Sequence, residues 1–454
     1  MRIIISVIVL ACWPSVVAAR EECKRDFQKA VALPGGRSLR VEHSLGSVNV
    51  RTQAKNEVAV QAAIRCSADT VEQARRFCDQ IQVRVEESSS GVVIRTEYPH
   101  NEGGFWRRNL SYAANLEIQM PETAPLELRN RFGNVTVQKL RAAATINNAN
   151  GSVLVTQGSG RQRVENSFGN VEVIANDGDV TVVNANGWVR ASEIGGSAEV
   201  TNRFGDVRVT GVGKSLTVHG GNSKVEVEHV GGIAMVTTSF GDVRVWDAKS
   251  GVTVRNRNGR VEANTVAGMA DLETSFASVK FTAIGKTVRV VAQNSSVTGD
   301  TVGETVTVQS SFGNIDLRGV KGDARVTNGN GAIRLAGIGG EVYAKTSFAG
   351  TTVEDAGGPV TVESANGSVT VAAKAGQPCR PIAIHTSFAP IRVAVPAGLA
   401  YTVNGKTSFA RIHSEPEMIV SGDLTADSIS GKIAGGGCEM RLTDQNGNID
   451  IVKR

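Results

Sequence analysis

Apolar side chains recur along this chain in short pairs two residues apart, and the pairs themselves recur. Take Phe168, the third residue of the stretch NSFGNVEV (166–173), as position zero. Apolar residues then stand at +3, +5, +8, +12 and +14: Val207, Val209, Val212, Leu216 and Val218 in one unit, Val279, Phe281, Ile284, Val288 and Val290 in another. Residues two apart on a strand share a face. Each unit therefore predicts two short strands, each with one apolar face. Between them lie Gly-rich corners such as 231–232 and 177–179, and the FG or NG of the motif itself, where Gly and Asn tolerate positive φ.

Position zero falls at Phe132, Asn150, Phe168, Asn186, Phe204, Asn222, Phe240, Asn258, Phe276, Asn294, Phe312, Asn330, Phe348 and Asn366, every step being 18 residues. The series then loosens to Phe388 and Phe409 and ends on a last copy at Asn446. Nine of the 13 Phe of the chain occupy this one position, which excludes chance. Strands of this length cannot stand alone, but stacked in register they bury a continuous interior, which is the logic of a solenoid.

The coil could be 18 or 36 residues. The outward row at +4 decides: Glu172, Arg190, Arg208, Glu226, Arg244, Glu262, Lys280, Thr298, Asp316, Arg334. With 18-residue coils, neighbours along this row make six opposite-charge pairs and one like pair; with 36-residue coils they make three of each. Each such pair is worth roughly 0.2–1 kcal/mol, so the row favours the shorter coil. The regular units then build a rod of about 65 Å at roughly 4.8 Å per coil. The expected corner residues, Phe132, Phe168, Phe204, Phe240, Phe276, Phe312 and Phe348, point inward on this reading. Asn between them would relieve crowding and bond to corner backbone groups, or the alternation is the relic of a duplicated 36-residue unit. An inward Phe204 implies that Phe204→Asp would bury an unpaired charge and unfold the middle of the rod.

Composition narrows the class. The 454 residues include 50 Gly and only 5% aromatics, unlike ordinary α/β domains. A net charge of +5, with both signs interspersed, argues against nucleic acid, which selects clustered basic faces. The N-terminus MRIIISVIVLACWPSVVAA reads as a secretory signal cut after Ala19. VLAC at 9–12 resembles a lipoprotein box too weakly for a lipid anchor at Cys12 to be the expectation. No other segment has an apolar run long enough to span a bilayer. Export puts the remaining five Cys in an oxidising compartment. Cys66 with Cys78, and Cys379 with Cys438, are the pairs to test, since they sit in the non-repetitive ends; the spacing does not settle connectivity. No CxxC or His/Cys cluster suggests a metal, the calcium nonapeptide GGxGxD is absent, and no cofactor is expected.

Outside the repeats, residues 20–121 contain a solenoid-like copy, HSLGSVNV (43–50), strands EVAVQAAI (57–64) and VVIRTEYP (92–99), and a helical stretch over 70–77. These form a cap, as solenoid ends require. Taken with NLEIQMPE at 115–122 and the repeated NG/FG-[NDS]-[VI]-x-V units, this layout resembles the putative-adhesin family of exported bacterial β-solenoid proteins, formally a domain of unknown function. The resemblance covers nearly the whole mature chain. It implies an envelope or surface protein with an adhesion or scaffold role and no catalytic residues to carry over. The Phe-bearing units depart from the pattern expected of that family.

Polysaccharide lyases and glycosidases also use β-helices, and their chemistry needs converging carboxylates. Here the outward acids Glu172, Glu226, Glu262 and Asp316 alternate with Arg and Lys, which surface pairing explains, and the six His do not share a repeat position. The loop GGFWRRN (103–109) gathers exposed aromatics and cations. Phe105, Trp106, Arg107 and Arg108 form a possible partner contact there, or the two aromatics simply cover the first coil.

The expectation is an all-β chain: a right-handed parallel β-solenoid (β-helix) of 18-residue two-strand coils with a small α+β N-terminal cap. Residues 1–19 are the signal peptide, 20–121 the cap, 122–415 the solenoid and 416–454 the closing coils. The expected role is a non-enzymatic, exported adhesin-like or scaffold protein of the cell envelope, in the periplasm, on the outer surface or outside the cell. Its partner would be an envelope protein or polysaccharide. The alternatives are a polysaccharide-acting enzyme and a periplasmic partner in envelope-stress signalling.

Overall fold

The computed structural model describes residues 21–99, 110–421, 425 and 427–454; residues 1–19, expected from the sequence to be a signal segment, and Cys12 among them lie outside the described residues. The chain winds as a parallel β-solenoid of about 18 residues per turn. Each regular coil gives one strand to each of two sheets. Val164, Val182 and Val200 are partners along one sheet, and Val171, Val189 and Val207 along the other. The apolar positions read from the sequence fill the interior: Val207, Val209, Val212, Leu216 and Val218 are all at most 2% exposed. Five buried aliphatic side chains per coil, each worth about 1.5–3 kcal/mol, are what hold a coil to its neighbours.

The interior is narrow. Phe281 is buried, and its partners in the adjacent coils are Ala263 and Gly299, so both neighbours shrink to admit one ring. The corner Phe have no such room, and the inward assignment is corrected. Phe132, Phe168, Phe204, Phe240, Phe276, Phe312 and Phe348, with Phe388 and Phe409, are 42–83% exposed. Parity is the reason. Inward positions are even before the corner (+12, +14) and odd after it (+3, +5), so the chain must present consecutive residues outward while parity switches. Position zero lies inside that switch. Phe204→Asp is therefore expected to leave the thermal melt within about 1 °C of wild type, the usual insensitivity of an exposed site; a collapse of the melt would restore the inward assignment.

The side chain that does enter the corner is two residues earlier. Asn130, Asn148, Asn166, Asn184 and Asn202 are all at most 5% exposed, and Thr238, Asn256, Thr274, Asn328 and Thr346 continue the row. Each Asn amide donates to the carbonyl of the Gly three residues on, as Asn166 does to Gly169 at 3.0 Å. Asn148, Asn166 and Asn184 also donate each to the side-chain oxygen of the next Asn, ending at Asn202, at 3.2 Å. The row thus satisfies carbonyls that the turn would orphan. A Cβ built on Gly133, Gly151, Gly169 or Gly187 would fall far inside van der Waals contact of the carbonyl one coil below, so Gly is required at these four corners by stacking as well as by φ.

At the N-terminal end, β1 (Glu21–Ala32), β2 (Ser38–Glu42), β3 (Val48–Gln53), β4 (Glu57–Ala68), α1 (Val71–Gln80), β5 (Gln82–Glu87), β6 (Gly91–Glu97) and β7 (Ser111–Pro121) build the cap. Strands β2 and β3 make a true coil, and the later β6 and β7 lie beyond it as the terminal one. Antiparallel β4 and β1 then cover one exposed edge and β5 the other. The outermost strand β1 carries Glu21, Glu22, Lys24, Arg25, Asp26 and Lys29, charges that discourage edge-to-edge association. Helix α1 starts at Thr70, whose side chain accepts from the Gln73 N–H, and buries Ala74, Phe77 and Cys78.

The corner row runs into this cap. His43 takes the corner position in the β2–β3 coil, buried, with Nδ1 3.0 Å from Thr96 Oγ1 of the terminal coil. Burial pushes its imidazole down to about 4 from an ordinary 6.5. The unfolded chain therefore binds this proton first. Stability is complete above pH 6.5 and falls between 6.5 and 4, by roughly 3 kcal/mol from this group. Denaturant melts across that window are expected to show the loss, and His43→Asn, which installs the residue used one coil away, is expected to flatten the profile above pH 5.

The C-terminal end does not stack in sequence order. The coil 438–453 is inserted between the coil 382–395 and the coil 401–414, pairing in parallel with both. Antiparallel strands Ser428–Ile433 and Met418–Val420 then close the sheet. Sulfur bridges tie both ends: Cys66 to Cys78 and Cys379 to Cys438, with Cα atoms 5.7 and 5.8 Å apart. Cys23 is free and stands opposite Cys66 in the β1–β4 register.

Candidate functional site: an aromatic corner row

The corner geometry turns position zero into a line of exposed rings parallel to the rod axis. In register, Asn150 stands between Phe132 and Phe168, and Asn186 between Phe168 and Phe204. Rings therefore recur every second coil, about 10 Å apart. The intervening Asn are anchored: Asn150 and Asn186 donate to the carbonyls of Arg131 and Ser167 at 3.3 Å. Amide and ring thus alternate along one edge, and the rings are its exposed apolar members.

One residue before position zero stand Arg131 and Arg203, beside Phe132 and Phe204, and Arg257, beside Asn258, with small residues such as Ala149, Ser167 and Ala185 between them. The Arg131 and Arg203 guanidinium groups lie over Phe132 and Phe204, 5.6 and 5.4 Å from the ring centroids. Among the described residues none of these three Arg has an ion-pair partner. Next to the row a shallow trough of about 610 Å³ runs across the coils from Arg129 to Arg203, with Asn147, Glu165, Ser167 and Thr201 on its walls.

The +4 row behaves differently. Glu172 meets Arg190 at 3.2 Å, Glu226 lies between Arg208 and Arg244 at 3.9 Å each, and Glu262 between Arg244 and Lys280 at 3.6 and 3.9 Å. The Lys224 ammonium, 2.7 Å from Glu226, holds that carboxyl below the usual carboxylate range. Asp316 turns to Arg318 of its own strand at 3.0 Å rather than along the row to Arg334. The like pair is relieved by Arg190 lying over Trp188, 5.0 Å from its ring centroid. These carboxylates are neutralised surface pairs, and each such exposed pair is worth at most about 1 kcal/mol. The turn aspartates have a structural use. Asp179, Asp242 and Asp323 accept the backbone N–H of Ser197, Arg260 and Glu341 in the next coil, at 2.8–3.0 Å.

Of the residues singled out from the sequence, Phe105, Trp106, Arg107 and Arg108 lie outside the described residues. The outward Phe row and its unpaired Arg were missed because an apolar residue at a fixed repeat position was read as core. The parity change across the corner was the signal that could have found them.

No family model matches the chain, and no curated protein matches it. Among solved structures it is similar to a putative cell adhesion protein from Clostridium sporogenes, at 10% identity over 95% of this chain and 100% of that one, with a TM-score of 0.18. It is also similar to a putative adhesin from Parabacteroides distasonis, at 11% identity over 64% and 97%, TM-score 0.22. A putative lipid binding protein from the same organism shares 9% identity over 64% and 96%, TM-score 0.20. Likeness at this level is too slight to carry a function from any of them to this chain.

Proposed function

We propose that this chain is a non-enzymatic, exported, adhesin-like rod of the cell envelope whose contact surface is the aromatic corner row. The observation that carries this is the placement of nine Phe, each 42–83% exposed, on one corner of a molecule that has few other aromatics. Large apolar side chains exposed in a continuous array mark interaction surfaces rather than folding units. The sequence reads as that of an exported protein through its signal segment, and the outward acids are taken up in pairs with neighbouring cations, which leaves the row as the feature without a structural use.

The test uses the mature chain and a variant with Ser at Phe132, Phe168, Phe204, Phe240 and Phe276. Both are applied to intact bacterial cells and to a panel of envelope polysaccharides. The expected result is retention without chain cleavage for the wild type, and at least tenfold weaker retention for a variant whose melting curve is unchanged. Release of shortened sugar chains would favour a polysaccharide-acting enzyme, and equal retention of the variant would remove the row from the function.

A further inference from the structure

Resting on the aromatic-row reading, we infer that the ligand is an acidic polysaccharide, an extended chain bearing carboxylates, laid along the rod axis over the exposed rings of Phe132, Phe168 and Phe204. Two features converge on that chemistry. The first is the period: like rings recur every second coil, about 10 Å apart, a repeat that an extended sugar chain meets with every second residue. A pyranose presents an apolar C–H face and a hydroxyl edge. The Phe rings fit the face, and the amide and hydroxyl groups of Asn147, Ser167 and Thr201 fit the edge.

The second is charge. Arg131, Arg203 and Arg257 line the row on one side, and no acid occupies the same position in any coil. Among the described residues Arg131 and Arg203 make no ion pair, and each lies over the neighbouring ring. The acid that does line the trough, Glu165, is neutralised by Arg163. Guanidinium groups held over an aromatic edge and free of carboxylates are poised to take carboxylates from a ligand.

Four probes separate the outcomes for the mature chain: alginate, an uncharged soluble β-glucan, vesicles of phosphatidylglycerol with phosphatidylethanolamine, and alginate at raised salt. Alginate is expected to bind, at least tenfold more tightly than the glucan, and to weaken with salt as exposed charges are screened. Arg131→Gln with Arg203→Gln is expected to cost about tenfold for alginate and to leave any glucan binding unchanged. Phe132→Ser with Phe168→Ser and Phe204→Ser should weaken alginate binding by a similar factor, with both variants melting like wild type. Glucan bound as well as alginate, with the Arg variant silent, would overturn the acidic ligand while sparing the aromatic row. Vesicles bound in place of alginate would overturn the polysaccharide. Alginate binding indifferent to the Phe variant would overturn the row itself, and with it the proposed function.

Discussion

Gly169→Ser is expected to lower the stability of the rod by about 3–5 kcal/mol, and Asn166→Gly in the same chain is expected to restore much of it. Gly169 has φ +126°, and a Cβ there would run into the Gly151 carbonyl of the coil below. The backbone cannot yield without disturbing a ladder shared by every coil. Two corners nonetheless carry Ser at this position, Ser223 and Ser295, and in both the residue three earlier has lost its donor side chain: Gly220 and Ala292. Both Ser are buried, at 1 and 2% exposure, and neither has a positive φ. Ser223 donates to the Asn202 carbonyl at 3.4 Å. The corner thus has an amide entering from before the turn with Gly after it, or a hydroxyl entering from after it; where Ala follows the ring, as at Ala277, Ala349 and Ala389, the smaller Thr274, Thr346 and Thr386 enter from before it. Either side chain fills the space once, and together they overfill it.

A double-mutant cycle reads this directly. Asn166→Gly alone should cost about 2–3 kcal/mol, because the Gly169 carbonyl and its neighbours in the Asn row lose their donor. The two substitutions combined should cost clearly less than their sum, with a coupling of about 2 kcal/mol by denaturant unfolding. Simple additivity would mean that Ser223 and Ser295 coincide with Gly220 and Ala292 by accident.

How much of this was legible in the sequence depended on which side chains announce their position. Val and Leu at +3, +5, +12 and +14 did so, and the register of the sheets follows them residue for residue. The charge alternation at +4 chose the 18-residue coil, and Glu172 with Arg190 meets as that choice requires. The corner was misread because burial was assigned by hydrophobicity. Asn166 and its equivalents are polar and buried, while Phe168 and its equivalents are apolar and exposed. Hydrogen bonding to turn carbonyls outweighs transfer energy at the first position, and lack of interior room decides the second. The order of the end coils was not legible, since nothing local in 438–453 distinguishes a coil that is added last from one that is inserted.

Replacing Cys379 and Cys438 together by Ser is expected to release the C-terminal coils while leaving the body of the rod folded. The bridge closes a loop of 59 residues, and its loss returns to the unfolded ensemble an entropy worth about 4 kcal/mol by the chain-entropy relation. The position of the bridge makes the loss local. The inserted coil joins strand Tyr401–Lys406 to strand Ile382–His385, since each pairs with Cys438–Thr443 from its own side. If that coil leaves, the coil 401–414 loses its parallel neighbour, and the coil 382–395 exposes two strand edges. In a solenoid each coil senses only its neighbours, so the damage should travel a few coils and stop. Hydrogen exchange is expected to rise across 382–453 by orders of magnitude while amides of 126–330 keep their protection, and a low-temperature step should separate from the main melt. The shorter bridge, Cys66 to Cys78, spans 12 residues and should cost about 3 kcal/mol, confined to the cap. Uniform loss of protection along the whole rod after the Cys379 and Cys438 replacements would mean that the solenoid unfolds as one unit, and that the inserted coil is a clasp for all of it.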